Sequence, residues 1–104
     1  MPEEVLGKPA VMKVLVKEPN EKWHVQEIEN TLESLQGIVG GHIETVTMGQ
    51  GVVMICNEDG RILGLPYNCT VGGVSFCGTV AIVGTNEDEF ADCPDWVVKL
   101  MEGF

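Results

Sequence analysis

Basic residues are scarce in this sequence. Six lysine and arginine residues stand against sixteen aspartate and glutamate residues, which gives a formal net charge of −10. Lysine and arginine contacts to phosphate drive nucleic-acid binding, so this balance argues against a protein that binds free DNA or RNA. Two interpretations of the acidity stay open. The charge keeps the protein soluble, or its carboxylates imitate a phosphate backbone and occupy a basic groove on a partner.

Long apolar segments are also missing. No run approaches the roughly 20 apolar residues that cross a bilayer, and residues 1–8 contain two glutamates and no apolar signal-peptide core. We therefore expect a cytoplasmic protein without a membrane partner. A chain of 104 residues has the size of one domain. We predict a flexible arm over residues 1–11 and a single α+β domain over residues 12–104.

Paired metal ligands and catalytic motifs are absent as well. The four cysteines form no CxxC pair and lie far from both histidines, which predicts small buried hydrophobic side chains rather than a zinc site or a disulfide framework. No glycine pattern matches a phosphate-binding loop or a dinucleotide fingerprint. No nucleophile has a base at a suggestive spacing. We expect no cofactor, no metal and no enzymatic activity.

Apolar periodicity, by contrast, predicts several strands. Short runs rich in β-branched residues lie at residues 12–17, 23–28, 43–47 and 76–83. Within the last run, residues 80–83 are apolar at every position, which is typical of a central strand covered on both faces.

Two short helices are also predicted. The first begins near Asn30, where a polar residue is followed by a glutamate three positions on, and ends at Gly40. The second lies near the C-terminus, with Trp96, Leu100 and Met101 as its apolar face. Together the elements predict an α+β fold, a small mixed or antiparallel sheet of about five or six strands with two short helices packed against it.

A β-hairpin is predicted over the middle of the chain. Two apolar runs, residues 52–56 and 62–65, flank the sequence NEDG at residues 57–60. A short connection that ends in Asp-Gly favours a hairpin, because glycine adopts positive φ without steric cost. The nearly all-apolar strands suggest that a sheet face or edge meets a second copy, so we expect a homodimer or higher homo-oligomer.

The segment that leaves this hairpin carries candidate binding residues. Pro66 has no N–H and biases Leu65 towards an extended conformation, so the loop is stiff. Tyr67 offers a stacking face, and Asn68 offers both a donor and an acceptor. The alternative is an ordinary turn after a strand, and the sequence leaves both interpretations open.

Arg61 is the sole arginine and admits two roles. Its planar guanidinium is the available group for binding an anion. It can instead pair with Glu58 across the hairpin, where an exposed ion pair contributes little to stability.

Four segments carry a resemblance to a known family: KVLV at residues 13–16, EIENTLESLQGIVGGHIE at 27–44, ICNEDGRILGLPYN at 55–68 and GTVAIVG at 78–84. In these segments the chain resembles the domain of unknown function family 3846, small proteins common in bacteriophages and mobile elements of gut bacteria. It departs from the family pattern at Cys69, where relatives often have arginine, and in the glycine-rich residues 70–75.

The family has no settled activity, but the resemblance implies a location for a site. The hairpin and the LPxN loop are its most characteristic part. This implies that Asn57, Glu58, Leu65, Pro66 and Asn68 line a binding pocket.

Two functions are expected from these observations. The first is a non-enzymatic phage or mobile-element protein that acts against host defence by sequestering a small nucleotide-like ligand. Arg61 and Lys13 would then meet phosphate, and Tyr67 and Asn68 would meet the base. The alternative is an acidic DNA mimic that inhibits a host nuclease or another nucleic-acid-binding defence protein. Carboxylates clustered on one face would support the alternative, and an even scatter would argue against it.

Overall fold

The computed structural model describes residues 10–49 and 51–103, and within these ranges the chain forms eight strands and two helices. This confirms the predicted α+β class. The predicted N-terminal arm lies outside the described residues except for its last two positions. In chain order the elements are β1 (Val11–Lys17), β2 (His24–Glu29), α1 (Leu32–Val39), β3 (Ile43–Gly49), β4 (Val52–Asn57), β5 (Tyr67–Val71), β6 (Val74–Cys77), β7 (Val80–Asn86), β8 (Glu89–Ala91) and α2 (Asp95–Met101).

Six strands form the main sheet, and five of them follow the order β2–β1–β7–β4–β3, with every pair antiparallel. Strand β1 pairs with residues 80–82 of β7, and the sixth strand, β8, pairs with residues 84–86 of β7. Residues 80–84 of β7 are all buried, which confirms the central strand predicted at residues 80–83. The run predicted as one strand over residues 76–83 is divided, because β6 ends at Cys77 and pairs in a different sheet.

Helix α1 covers one face of the main sheet. The Thr31 side chain caps it by accepting a hydrogen bond from the Ser34 N–H at 3.1 Å, and Gly40 ends it in the left-handed conformation. Leu35 and Val39 pack against the sheet residues that face this side. These sheet residues are Met12, Val14, Val16, Ile55, Ala81 and Val83.

The opposite face is covered by α2 and by the β5–β6 hairpin. Phe76 on β6 and Val97 on α2 are buried against the residues of the central strands that point to this side. The hairpin turns at Gly72 and Gly73, which both have positive φ (58° and 82°). Two consecutive positive φ values define the tight turn whose twist matches paired strands, and glycine adopts them without strain.

The hairpin predicted from residues 52–56 and 62–65 is wrong. Both edges of β4 are occupied, by β3 and by β7. After β4 the chain forms consecutive turns, since the Asp59 N–H donates to Asn57 Oδ1 at 2.7 Å and the Leu63 N–H donates to the Asp59 carbonyl at 2.8 Å. Ile62 and Leu63 are therefore 85% and 61% exposed. The homo-oligomer was expected because the strands of this hairpin are nearly all apolar. Without the hairpin, an interface between copies would have to form on another surface.

The predicted apolar face of the last helix is also wrong in part. Met101 packs against the core, but Trp96 and Leu100 are 61% and 59% exposed. The side of α2 that meets the core instead carries Val97 and Met101, which pack in the cluster that contains Cys93, the residue before the helix cap. Val97 and Met101 are four residues apart, as Trp96 and Leu100 are, so spacing alone does not separate the two faces.

Two glycine-to-alanine substitutions should change stability in opposite directions. A Cβ at Gly84 would collide with the Asp92 carbonyl oxygen, whereas a Cβ at Gly37, within α1, meets no atom within 4 Å. We expect Gly84→Ala to lower the free energy of unfolding by about 3 kcal/mol through overpacking. We expect Gly37→Ala to raise it by about 0.5 to 1 kcal/mol through helix propensity. Urea denaturation of both variants measures the difference, and equal stabilities would show that the chain at Asp92 does not lie tightly over β7.

Candidate functional site

A cleft of about 390 Å³ lies where the β5–β6 hairpin crosses the β3–β4 edge of the main sheet. Strands β3 and β4 form one side, β6 forms the other, and the turn after β4 closes one end. The residues that line it are Glu44, Val46, Cys56, Asn57, Glu58, Gly60, Arg61, Ile62, Val74, Ser75, Phe76 and Cys77.

The interior of the cleft is apolar. Cys56 and Phe76 are buried, and Val46 is half-buried against the same core. Val74 and Ile62, by contrast, are exposed apolar residues among those that line the cleft. An apolar lining with a few convergent polar groups is the usual composition of a small-molecule site, and the volume lies within the usual range of about 300 to 1,000 Å³.

The charged groups of the cleft are two carboxylates and one guanidinium. Glu44 on β3, Glu58 in the turn and Arg61 are all exposed. Arg61 Nη2 donates to the Ser75 carbonyl oxygen at 3.1 Å, which links the turn to β6. A guanidinium carries five N–H donors, so this contact orients Arg61 and uses a minority of its hydrogen-bonding capacity.

The Cys56 thiol is held in its neutral form. Burial raises its pKa, and the negative charge of Glu44 raises it further. Because the thiolate is the nucleophilic form of cysteine, this environment suits a packing role at the base of the cleft.

Asn57 lines the cleft, but its side chain is engaged with the backbone. The residue is buried, Nδ2 donates to the Val39 carbonyl at 3.1 Å, and Oδ1 accepts from the Asp59 N–H. These contacts tie the end of α1 to the end of β4 and begin the turn that carries Glu58 and Arg61. Asn57 therefore positions the residues that follow it.

Asn68 points into the protein, with an exposed fraction of 7%. Its Nδ2 donates to the carbonyls of Lys17 and Gly78, both at 2.8 Å, and its Oδ1 accepts from Lys17 Nζ at 2.7 Å. This cluster fastens the start of the β5–β6 hairpin to the end of β1. It determines where the hairpin lies over the sheet, and so where the cleft opens.

The remaining predicted residues lie outside the cleft lining. Leu65 is half-buried, and the Pro66 carbonyl accepts from the Gly78 N–H at 2.7 Å. Tyr67 is exposed, and its hydroxyl is 2.8 Å from the Thr70 hydroxyl. The structure thus brings Asn57, Glu58 and Arg61 together in the cleft and leaves Leu65, Pro66, Tyr67 and Asn68 on the hairpin side.

Lys13, the second predicted phosphate contact, is engaged at the start of α2. Its Nζ lies 2.7 Å from Asp95 Oδ1. This hydrogen bond raises the pKa of Lys13 and lowers the pKa of Asp95. An exposed ion pair of this kind contributes little to stability. Lys13 is not among the residues that line the cleft.

Sequence reasoning missed the half of the cleft that comes from β3 and β6. Glu44, Val46, Val74 and Phe76 are far apart in the chain and meet because the hairpin folds back over the sheet. The available signal was the Gly-Gly pair at residues 72–73, which predicts a two-residue hairpin turn.

Residues 12–104 match the family described as a domain of unknown function (DUF3846). The chain belongs to this family. No curated protein and no solved structure matches the chain.

Over residues 10–49 and 51–103, no three histidine, cysteine, aspartate or glutamate side chains come together as a metal site would require. Neither helix found in those ranges has the length and apolar character to span a membrane.

Asn68→Ala should destabilise the fold. The substitution removes the Asn68 donor from the Lys17 and Gly78 carbonyls and leaves Lys17 Nζ only its 3.5 Å contact with the Asn68 carbonyl. We expect a loss of about 2 kcal/mol, or roughly 10 °C in Tm for a domain of this size. Differential scanning calorimetry measures it. Tyr67→Phe, at the exposed neighbouring position, is the matched control and should change Tm by less than about 2 °C. Equal Tm values for the two variants would contradict the assigned role of Asn68.

Proposed function

We propose that this protein is a non-enzymatic binding protein that holds a small nucleotide-like ligand in the cleft. The observation that carries the proposal is the placement of Arg61 beside two exposed carboxylates over an apolar floor. Each part of a nucleotide has a chemical counterpart in this arrangement.

Arg61 is the group that would bind phosphate. Its guanidinium matches two phosphate oxygens at once, and the hydrogen bond to Ser75 already orients it. Glu44 and Glu58 would accept hydrogen bonds from ribose hydroxyls or from amino groups of the base. The apolar lining around Phe76 would cover the face of the base.

The charge balance of the cleft limits the ligand. Two carboxylates oppose one guanidinium, so each additional phosphate charge would face net repulsion. A ligand with one phosphate charge and several N–H or O–H donors suits the cleft better than a triphosphate. Cyclic mononucleotides have this composition, because their phosphodiester carries a single charge, and nucleoside monophosphates follow with nearly two charges at neutral pH.

Retention without turnover is part of the proposal. Burial raises the pKa of Cys56 in the cleft lining, so its thiol stays protonated and is a poor nucleophile. In the phage counter-defence setting that the family resemblance implies, retention would lower the free concentration of a nucleotide on which a host defence depends.

The acidic-mimic alternative has the net charge of −10 in its favour. The positions of the acidic residues give it partial support. By the strand register, Glu27 and Glu29 on β2 and Glu44 on β3 project from the same face of the main sheet, but from its two terminal strands, with α2 and the β5–β6 hairpin over the strands between them. A mimic of one DNA backbone needs closely spaced charges along one face. This alternative stays a prediction, and a pull-down of a basic partner that tolerates Arg61→Ala would favour it.

Arg61→Ala should weaken nucleotide binding by about 10- to 100-fold, the usual size of a charge-assisted hydrogen-bonded contact. Isothermal titration calorimetry with adenosine and guanosine monophosphates and their cyclic forms measures it, after native mass spectrometry has identified which of them is retained. Lys22→Ala is the matched control, because it removes the same charge from an exposed residue that does not line the cleft.

The two variants, Arg61→Ala and Lys22→Ala, distinguish the loss of a contact in the cleft from the loss of one positive charge on the protein. Loss of affinity in Arg61→Ala alone supports the cleft. Equal affinities in the two variants would remove Arg61 from the site, and failure of every mononucleotide to bind would overturn the proposed function.

A further inference from the structure

We propose that strand β3 pairs antiparallel with β3 of a second copy, so that two clefts meet across the dimer axis. Strand β3 is the last strand of the main sheet and pairs only with β4 among the described strands. Its outer edge therefore offers backbone N–H and C=O groups to another strand.

The composition of β3 leaves this edge open to pairing. Its seven residues, IETVTMG, include one charged side chain, Glu44, and no proline. Natural proteins protect exposed sheet edges with charges, prolines and bulges. The other terminal strand, β2, has that protection, because His24, Glu27 and Glu29 make half of its six residues ionisable. The β3 edge carries less charge than the β2 edge, and its register shift lies at its end, between Thr47 and Gly49.

The geometry of β3 selects the register of the pair. The β3–β4 ladder shifts between Thr47 and Gly49, so the regular part of β3 is residues 43–47. A two-fold axis perpendicular to the sheet keeps each residue on its own face, which requires partners at even separation. The symmetric arrangement of five residues places Thr45 opposite Thr45 of the second copy.

The same register avoids opposed charges. Glu44 then lies opposite Val46 of the second copy, and Ile43 lies opposite Thr47. Threonine pairs and pairs of β-branched residues are favourable across strands, whereas like charges directly opposite each other are not. The two Glu44 side chains are diagonal neighbours at about 7 to 8 Å, so their repulsion is moderate.

The second copy would contribute to the binding site. Glu44 and Val46 line the β3 side of the cleft, and the proposed pair places Val46 and Glu44 of the second copy beside them. Each cleft would gain an additional wall, and the two would become one continuous site across the axis. The dimer itself stands on the strand geometry alone, whereas the shared ligand site also rests on the proposed function.

A charge swap at Thr45 tests the dimer. Thr45 is exposed, so lysine or glutamate there is compatible with the folded protomer, and circular dichroism confirms folding. Because Thr45 lies opposite Thr45 of the second copy, Thr45→Lys and Thr45→Glu each place two like charges opposite each other. Sedimentation velocity from 5 to 500 μM should show a concentration-dependent wild-type dimer, since one short strand pair makes a small interface. Each variant alone should dimerise at least tenfold more weakly, and an equimolar mixture should recover a heterodimer.

Gln26→Lys is the matched control, because it adds the same charge to an exposed residue of the opposite terminal strand. It should leave the wild-type dimer intact. A wild-type monomer at 500 μM would overturn the proposal, as would a dimer that ignores both Thr45 variants or dissociates with Gln26→Lys.

The oligomer measurement uses ligand-free protein, so its outcome is separate from that of the proposed function. A monomer that retains a mononucleotide through Arg61 would overturn the dimer and leave the proposed function standing. A Thr45-dependent dimer that retains none would confirm the strand pairing and overturn the shared ligand site.

Discussion

The whole arrangement depends on one constraint, the burial of β7 on both faces. Residues 80–84 are apolar or glycine and are fully enclosed, and each buried aliphatic side chain stabilises the fold by roughly 1.5 to 3 kcal/mol relative to exposure. A strand of this kind needs cover above and below the sheet. Helix α1 covers one face as a single unit. The other face is shared by α2 and the β5–β6 hairpin, and the cleft is the gap at its β3–β4 side.

The position of the hairpin over the sheet is fixed by polar contacts more than by its apolar ones. Phe76 supplies apolar burial, which is non-directional. The hydrogen bonds of Asn68 to Lys17 and Gly78, and of Arg61 to Ser75, are directional and determine its position and orientation. Two residues predicted to bind a ligand thus have roles in building the site. Arg61 keeps free donors, whereas Asn68 is engaged at both ends of its amide.

The features that sequence predicted correctly are those with local causes. The end of α1 at Gly40 and the doubly apolar run of β7 each follow from a few consecutive residues, and the start of α1 was predicted to within one residue, since its cap is Thr31 and not Asn30. The errors arose where two local signals competed. The NEDG segment forms a turn and not a hairpin, because the Asn57 side chain accepts a hydrogen bond from the Asp59 N–H. The hairpin forms instead at the Gly-Gly pair, residues 72–73. On α2, Val97 with Met101 and Trp96 with Leu100 have the same spacing, and only the first pair packs against the core.

The cleft itself could be predicted only in part. Asn57, Glu58 and Arg61 are contiguous with the motif that stood out, so they were found. Glu44, Val46 and Phe76 come from distant segments, and their meeting depends on how the hairpin lies across the sheet. That placement depends on Asn68, whose amide is equally suited to a ligand and to a backbone carbonyl when only its identity is known.

The strand order also has a consequence for the order of folding. The β1–β2 and β3–β4 pairs are each local in sequence, but β7 lies between them in the finished sheet. Both local pairs therefore expose one unpaired inner edge until residues 80–86 are available. During synthesis the sheet cannot close until residues 80–86 have left the ribosome, and the two local pairs then meet only through pairings with a distant segment, which slow folding. Strand β7 thus joins the two pairs into one sheet.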